Sequence, residues 1–170
     1  WNNAVEYACK NLIQSHILIE GSDDYMDQKM WAYMNEFKGD YLGLRDFYLY
    51  DSQRRQYIRW KGYKDGRRLN EPLGSGKLIN TNFLIDCNFR PHEDNRQRGL
   101  DFKVHENVMK AGAKLTLINQ SETGGINIGI KDPEKDGTNL NKMPQGGWSN
   151  SEYIHFRHIQ SNYPDIWQLI

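Results

Sequence analysis

The spacing of apolar residues changes along the chain, and each change marks a structural element. Near the N-terminus Val5, Cys9, Leu12 and Ile13 recur at helical spacing. Asn3 followed by Glu6 has the layout of a capping box with Asn in the capping role, so a helix is predicted there. The segment HILIEG (16–21) breaks the helical period and reads as a short strand ending at Gly21. A second helix is predicted from Ser22 as N-cap, with Asp23 and Asp24 at the positive end of its dipole and Gly39 as its stop. Its apolar stripe of Met26, Met30, Met34 and Phe37 is expected to pack in the core, with Trp31 and Tyr33 flanking it.

After Gly39 the period drops to two. Residues 44–63 (LRDFYLYDSQRRQYIRWKGY) read as a hairpin turning at 51–55, and 64–77 read as a Gly-, Pro- and Asn-rich loop. Further strands are predicted at 78–89, 100–105, 113–119, 125–130, 151–160 and 165–170, with polar loops at 90–99 and 131–147. In the segment LDFKVH, Leu100, Phe102 and Val104 alternate with Asp101, Lys103 and His105, which predicts a half-buried strand. The fold class expected is α+β: N-terminal helices and a hairpin (1–70), then a β-sandwich-like, mainly antiparallel half (71–170), either as two segments or as one continuous domain.

Composition narrows the function classes. Lys plus Arg and Asp plus Glu each total 22, so no global charge excess points to nucleic acid or to a membrane surface. No apolar run approaches the roughly 20 residues that span a bilayer, so no membrane insertion is expected. Aromatic residues make up 12 %, enough that exposed rings are expected at an interface. Cys9 and Cys87 lack metal-ligand spacing and are expected to be free thiols. The chain begins at Trp1 rather than Met, as expected of a fragment or a processed product.

Several motifs bear on chemistry. GSGK at 74–77 lacks both the earlier Gly, where Glu71 stands, and the following Ser or Thr, where Leu78 stands, so a turn is expected rather than a phosphate loop. His155 and His158, three apart in an expected strand, point to opposite faces and do not chelate together. Asp86, followed by Asp101 and Lys103, places two acids and a lysine on what read as neighbouring strands, the residue types that hold Mg²⁺ and orient a water. This arrangement resembles the metal-dependent nucleases of the PD-(D/E)xK type, although Ile85 stands where that family has Pro. A basic and aromatic stretch from Arg54 to Arg68 includes Tyr57 and Trp60, residue types used for stacking and phosphate contact. Trp148, between Gly147 and Ser149, and Tyr153 complete the candidate binding aromatics.

Residues 100–170 supply a second resemblance. A Gly turn at Gly112, the strand LTLIN, a second Gly turn at Gly146 and Gly147 and a closing Trp167–Ile170 strand resemble a β module of bacteriophage tail-fibre and tail-spike proteins. The resemblance implies a structural or attachment component of a phage-like particle, located in the virion, without a cofactor and without a catalytic role. Its implied partners are other virion subunits, including copies of itself, and a host surface glycan. Two alternatives stand beside it: the Mg²⁺-dependent nuclease using Asp86, Asp101 and Lys103, and a carbohydrate-binding module of a secreted enzyme, which would move the chain to the cytoplasm or outside the cell.

Overall fold

The computed structural model describes residues 2–12, 14–64, 66–92, 100–132 and 150–167. These residues form an α+β fold with two mixed, mostly antiparallel sheets and helices packed around them. Helix α1 (Asn2–Asn11) leads into β1 (His16–Ile19) and β2 (Asp24–Met26), then α2 (Gln28–Glu36). Strands β3 (Tyr41–Leu44), β4 (Phe47–Asp51), β5 (Gln56–Trp60) and β6 (Lys77–Asn80) follow. Helices α3 (Thr81–Asp86) and α4 (Leu100–Lys110) precede β7 (Leu115–Ile118), β8 (Asn127–Lys131) and β9 (Ser151–Ile154). Helices α5 (Phe156–Asn162) and α6 (Pro164–Trp167) complete the described chain.

The first sheet has the order β1-β6-β3-β7 and the second β2-β8-β4-β5-β9. Each contains one parallel pair, β3 with β7 and β4 with β8, and antiparallel pairs elsewhere. Strands from residues 1–70 and from residues 71–170 are therefore hydrogen-bonded to one another in both sheets.

Alternation along β4 and β5 sorts their side chains between two apolar clusters. Phe47, Leu49, Ile58 and Trp60 join Met30, Met34, Leu42, Leu44, Leu78 and Ile118 in a core built from both sheets. Tyr48, Tyr50 and Tyr57 turn the other way and pack with Ile126, Ile128, Ile159, Tyr163 and Ile166 under α5 and α6. A third cluster sets Val5, Leu84, Val104 and Val108 from α1, α3 and α4 against Tyr41 and Ile79 of the first sheet. Because β4 is buried on both faces, its sequence FYLY is apolar without interruption.

The hairpin at β4 and β5 and the strands at β1, β7 and β8 lie where the apolar spacing predicts them. Five elements differ. The second helix starts at Gln28 rather than after Ser22, because Asp24, Tyr25 and Met26 pair with Gly129, Ile128 and Asn127 of β8. Asp27 caps it instead, its carboxylate accepting from Met30 N at 2.8 Å.

Residues 100–105, predicted as a strand, are the start of helix α4. A six-residue window shows the 100/102/104 alternation, but the longer stripe of Leu100, Val104 and Val108 has helical spacing, and Val104 and Val108 are the buried members. Strand β6 stops at Asn80, whose side chain accepts from Asn82 N at 3.0 Å and opens α3 where a strand was predicted to run on. Strand β9 likewise gives way at His155, which caps α5 by accepting from Arg157 N, and 164–167 are helical rather than a closing strand. Among the described residues no helix is long and apolar enough to cross a membrane.

Met30 is fully buried and Trp31, its neighbour, is 53 % exposed. Chemical denaturation of Met30→Ala is expected to show a loss of roughly 2–5 kcal/mol. Trp31→Ala is expected to change stability by less than about 0.5 kcal/mol, as at other surface positions. Equal effects would place the α2 stripe outside the core.

Candidate functional site

The end of β1, the turn before β6 and the first turn of α4 meet around a cavity of about 230 Å³. Glu20, Asp24, Ser75, Lys77, His92 and Asp101 line it. A second hollow of about 190 Å³ shares Asp24, Gly74, Ser75 and Asp101 with the first and extends it along a wall of Phe47, Leu49, Trp60 and Tyr63. The two make one cleft with carboxylates along its middle and aromatic rings on one side.

Glu20 holds the turn in place. Its carboxylate accepts from Ser75 Oγ at 2.5 Å, from Gly76 N at 3.1 Å and from Asn127 Nδ2 of β8 at 2.6 Å. Burial raises its pKa against the opposing pull of those hydrogen bonds. Gly76 turns the chain at φ +74°, and a Cβ there would meet Leu44 Cδ1 at 2.5 Å, so only glycine fits.

Lys77 is the least expected element of the site. It opens β6 with its side chain fully buried, and its Nζ donates to the main-chain oxygen of Asp101 at 3.1 Å. Burial pulls its pKa down to about 8, against the carboxylates of Asp101 and Glu71, which favour the charged form.

Glu71, also buried, is held by Arg68, whose Nε and Nη2 donate to its two oxygens at 2.6 and 2.5 Å. The same guanidinium lies 4.0 Å from the centre of the Tyr63 ring, and its Nη2 is 3.5 Å from Asp101 Oδ2. Burial lowers the pKa of His92 to about 4 and also lowers that of His105, with the Lys77 charge adding to both. The Tyr41 hydroxyl, buried nearby, is held neutral by burial and by the Glu71 and Asp101 charges.

At the mouth, Lys131 bridges Asp23 and Asp24, with Nζ 3.5 Å from Asp24 Oδ1. Asp24 is thereby committed to an ion pair, with only 5 % of its side chain exposed. Asp101 keeps 37 % of its side chain exposed and faces the cleft from a helix anchored by Lys77. The two carboxylates differ in surroundings: Asp24 is almost wholly covered beside Lys131, and Asp101 is more open, with Arg68 at its edge. Among the described residues no group of three or more His, Cys, Asp and Glu is arranged to hold a metal ion.

The residues singled out from sequence are distributed unevenly around this cleft. Asp101 and Trp60 line it. Asp86 sits exposed on α3 and Lys103 pairs with Glu106 at 2.5 Å on α4, so the three nuclease candidates lie on helices rather than on neighbouring strands. Tyr57 is buried on the opposite face of β5, with its ring 4.9 Å from that of Tyr50. Tyr153 is 56 % exposed on β9. Trp148 lies outside the described residues. Cys9 and Cys87 are free, and burial raises both thiols above their ordinary range.

The sequence reading gave no site role to Glu20, Asp24, Glu71, Lys77, His92 or Lys131. A signal for some of them was present: Glu20, Asp23 and Asp24 crowd the end of an apolar strand, where a loop carrying polar groups is supported by a rigid sheet. Compared with protein-family models and with curated proteins, the chain matches none.

The buried ammonium has a pH signature. Lys77 in the folded chain releases its proton near pH 8, whereas the unfolded chain holds it to about 10.5. Between those values the unfolded state binds more protons, so this group makes stability rise with pH. Denaturation of the wild type and of Lys77→Met at pH 7, 8, 9 and 10 is expected to show the wild type gaining stability relative to the variant above pH 8. A constant difference across that range would mean that Lys77 is solvated.

Proposed function

We propose that the chain is a carbohydrate-active domain that holds a sugar in the cleft and transfers a glycosyl group, with Asp101 as general base. The observation that carries this reading is the convergence of Asp24 and Asp101 on one cleft with Trp60 and Tyr63. A sugar ring has an apolar face of C–H groups and a rim of hydroxyls. Aromatic rings match the first, and carboxylates and the Ser75 hydroxyl match the second.

Roles follow from the surroundings of each group. Asp101 is half exposed, set on the first turn of a helix, and steadied from below by Lys77 and from the side by Arg68. A base so placed can take the proton of an attacking hydroxyl as its oxygen bonds to the anomeric carbon, while the bond to the leaving oxygen breaks and that oxygen takes a proton from water. Asp24, held beside Lys131, suits stabilisation of positive charge developing on the sugar. Lys131 and Asp23 beside it complete a charged mouth.

A second reading keeps the attachment role and rests on a different observation. Tyr153 and Phe156 are exposed where the edge strand β9 enters α5, beside a groove of about 390 Å³ that Arg55, Gln56, His155 and Ile154 also line. A strand that ends its sheet among the described residues, flanked by aromatic rings, suits docking of another subunit, a second copy of this chain in a virion assembly. Native mass measurement of the wild type and Tyr153→Ala tests it: an oligomer that the substitution dissociates supports the reading, and a monomer in both removes it.

For the carbohydrate reading, saturation-transfer NMR with a panel of mono- and disaccharides is expected to show transfer from the protein to ring protons of at least one sugar. Asp101→Asn is expected to keep that binding while lowering glycosyl transfer to water or to an acceptor sugar by roughly 10²–10⁴-fold, the usual contribution of a general base. Absence of contact with any sugar would overturn the reading. Unchanged transfer in Asp101→Asn would remove Asp101 from the chemistry.

A further inference from the structure

The opposite face of β4 and β5 carries a separate pocket. Phe47, Leu49 and Trp60 point to the cleft, whereas Tyr48 and Arg59, the alternate residues, point to a hollow of about 640 Å³. The hollow shares no lining residue with the cleft. We infer that it is a binding site for a small anion, a carboxylate or phosphate group carried by a low-molecular-weight ligand, with Arg59, Lys29 and His158 as the recognising groups.

Arg59 is fixed before any ligand arrives. Its Nε and Nη2 lie 2.8 and 2.7 Å from Asp46 Oδ2, and Asp46 is 1 % exposed. Asp46 is fixed in turn by Gln120, whose main-chain N donates to Oδ1 at 2.7 Å and whose side-chain amide donates to the Asp46 main-chain oxygen at 3.0 Å. The guanidinium centre lies 5.8 Å from the centre of the Tyr48 ring. Three anchors therefore orient a side chain that is still 27 % exposed. Its remaining nitrogen, Nη1, has Glu152 as ion partner only at 3.8 Å, beyond hydrogen-bond range. Glu152 itself is engaged by Lys61 at 2.5 Å.

A buried acid holding an arginine by two of its nitrogens leaves the third preorganised for an incoming oxygen, the geometry in which guanidinium groups recognise carboxylates and phosphates. The rest of the lining suits the same ligand. Lys29, from the first turn of α2, is exposed and adds a second cation. His158 Nδ1 lies 3.3 Å from the Asn162 amide nitrogen, which assigns the ring proton of the neutral form to Nε2 and makes that atom a donor. Ser121 and Ser161 supply hydroxyls. Of the side chains that line the hollow, Lys29 and Arg59 are cations and Glu152 is an acid.

The inference does not rest on the carbohydrate reading, because no residue is common to the two places. Calorimetric titration of the whole chain with inorganic phosphate and, separately, with succinate tests it. At least one anion is expected to bind saturably, in the millimolar range suited to a small ion. Lys29→Gln and His158→Gln, both at exposed positions, are each expected to weaken that binding about tenfold, the loss of one charge-assisted hydrogen bond. Arg59→Lys, which keeps the charge beside Asp46 but not the fork, is expected to weaken it as much or more. Saturation by phosphate but not succinate assigns a phosphate-bearing ligand, and the reverse assigns a carboxylate-bearing one. Saturation by neither, or binding that all three substitutions leave unchanged, overturns the inference.

Discussion

The carboxylate of Glu20 joins the two sheets, and the position of the cleft depends on it. The residue directly follows β1 of the first sheet, and its oxygens receive hydrogens from the turn before β6 and from Asn127 of β8 in the second. Even a half-buried carboxylate is costly unless its lone pairs are satisfied, and three donors from two other segments satisfy this one. The same bonds set Ser75 and Gly74 against Asp101 and leave the space between them as a cavity rather than as packed core. Hydrogen bonds that share one acceptor group act as a unit, so loosening any one of them would alter the others.

Beneath this joint, Lys77 and Glu71 form a buried layer of opposite charges that ends at Asp101. Apolar residues of similar size would fill the space at lower desolvation cost. What the charged layer provides is placement: the Lys77 ammonium holds the main chain of the first turn of α4, and Arg68 holds Glu71 while packing on Tyr63. The aromatic wall and the carboxylates of the cleft are thus positioned by one continuous set of contacts. The two-residue period of β4 and β5 then separates this cleft from the Arg59 pocket on the far face.

Much of the architecture was legible in the apolar spacing. The α+β class, the 44–63 hairpin and the buried Met30 and Met34 follow from periods of 2 and 3.6 that packing enforces. The failures lie where a short window fits both periods. Leu100, Phe102 and Val104 satisfy alternation, yet Val104 and Val108, four apart, are the residues that pack with the first sheet. Ser22, Asp23 and Asp24 look like a helix start, yet β8 takes Asp24–Met26 as its edge partner and Asp27 becomes the cap. Pairing across more than 100 residues leaves no local trace in the sequence.

The site was less legible for the same reason. Asp101 and Trp60 were singled out, but as parts of a nuclease triad and a basic stretch, and their shared cleft comes from tertiary packing. Lys77, in a motif correctly read as a turn rather than a phosphate loop, gave no sign of burial, because its carboxylate partners lie in other segments. The most direct test of the central claim is a crystal structure of the chain soaked with a disaccharide. The account predicts a sugar ring against Trp60 and Tyr63, with hydroxyls within hydrogen-bond distance of Asp101 and Asp24. A sugar bound at the β9 edge with the cleft empty would contradict it.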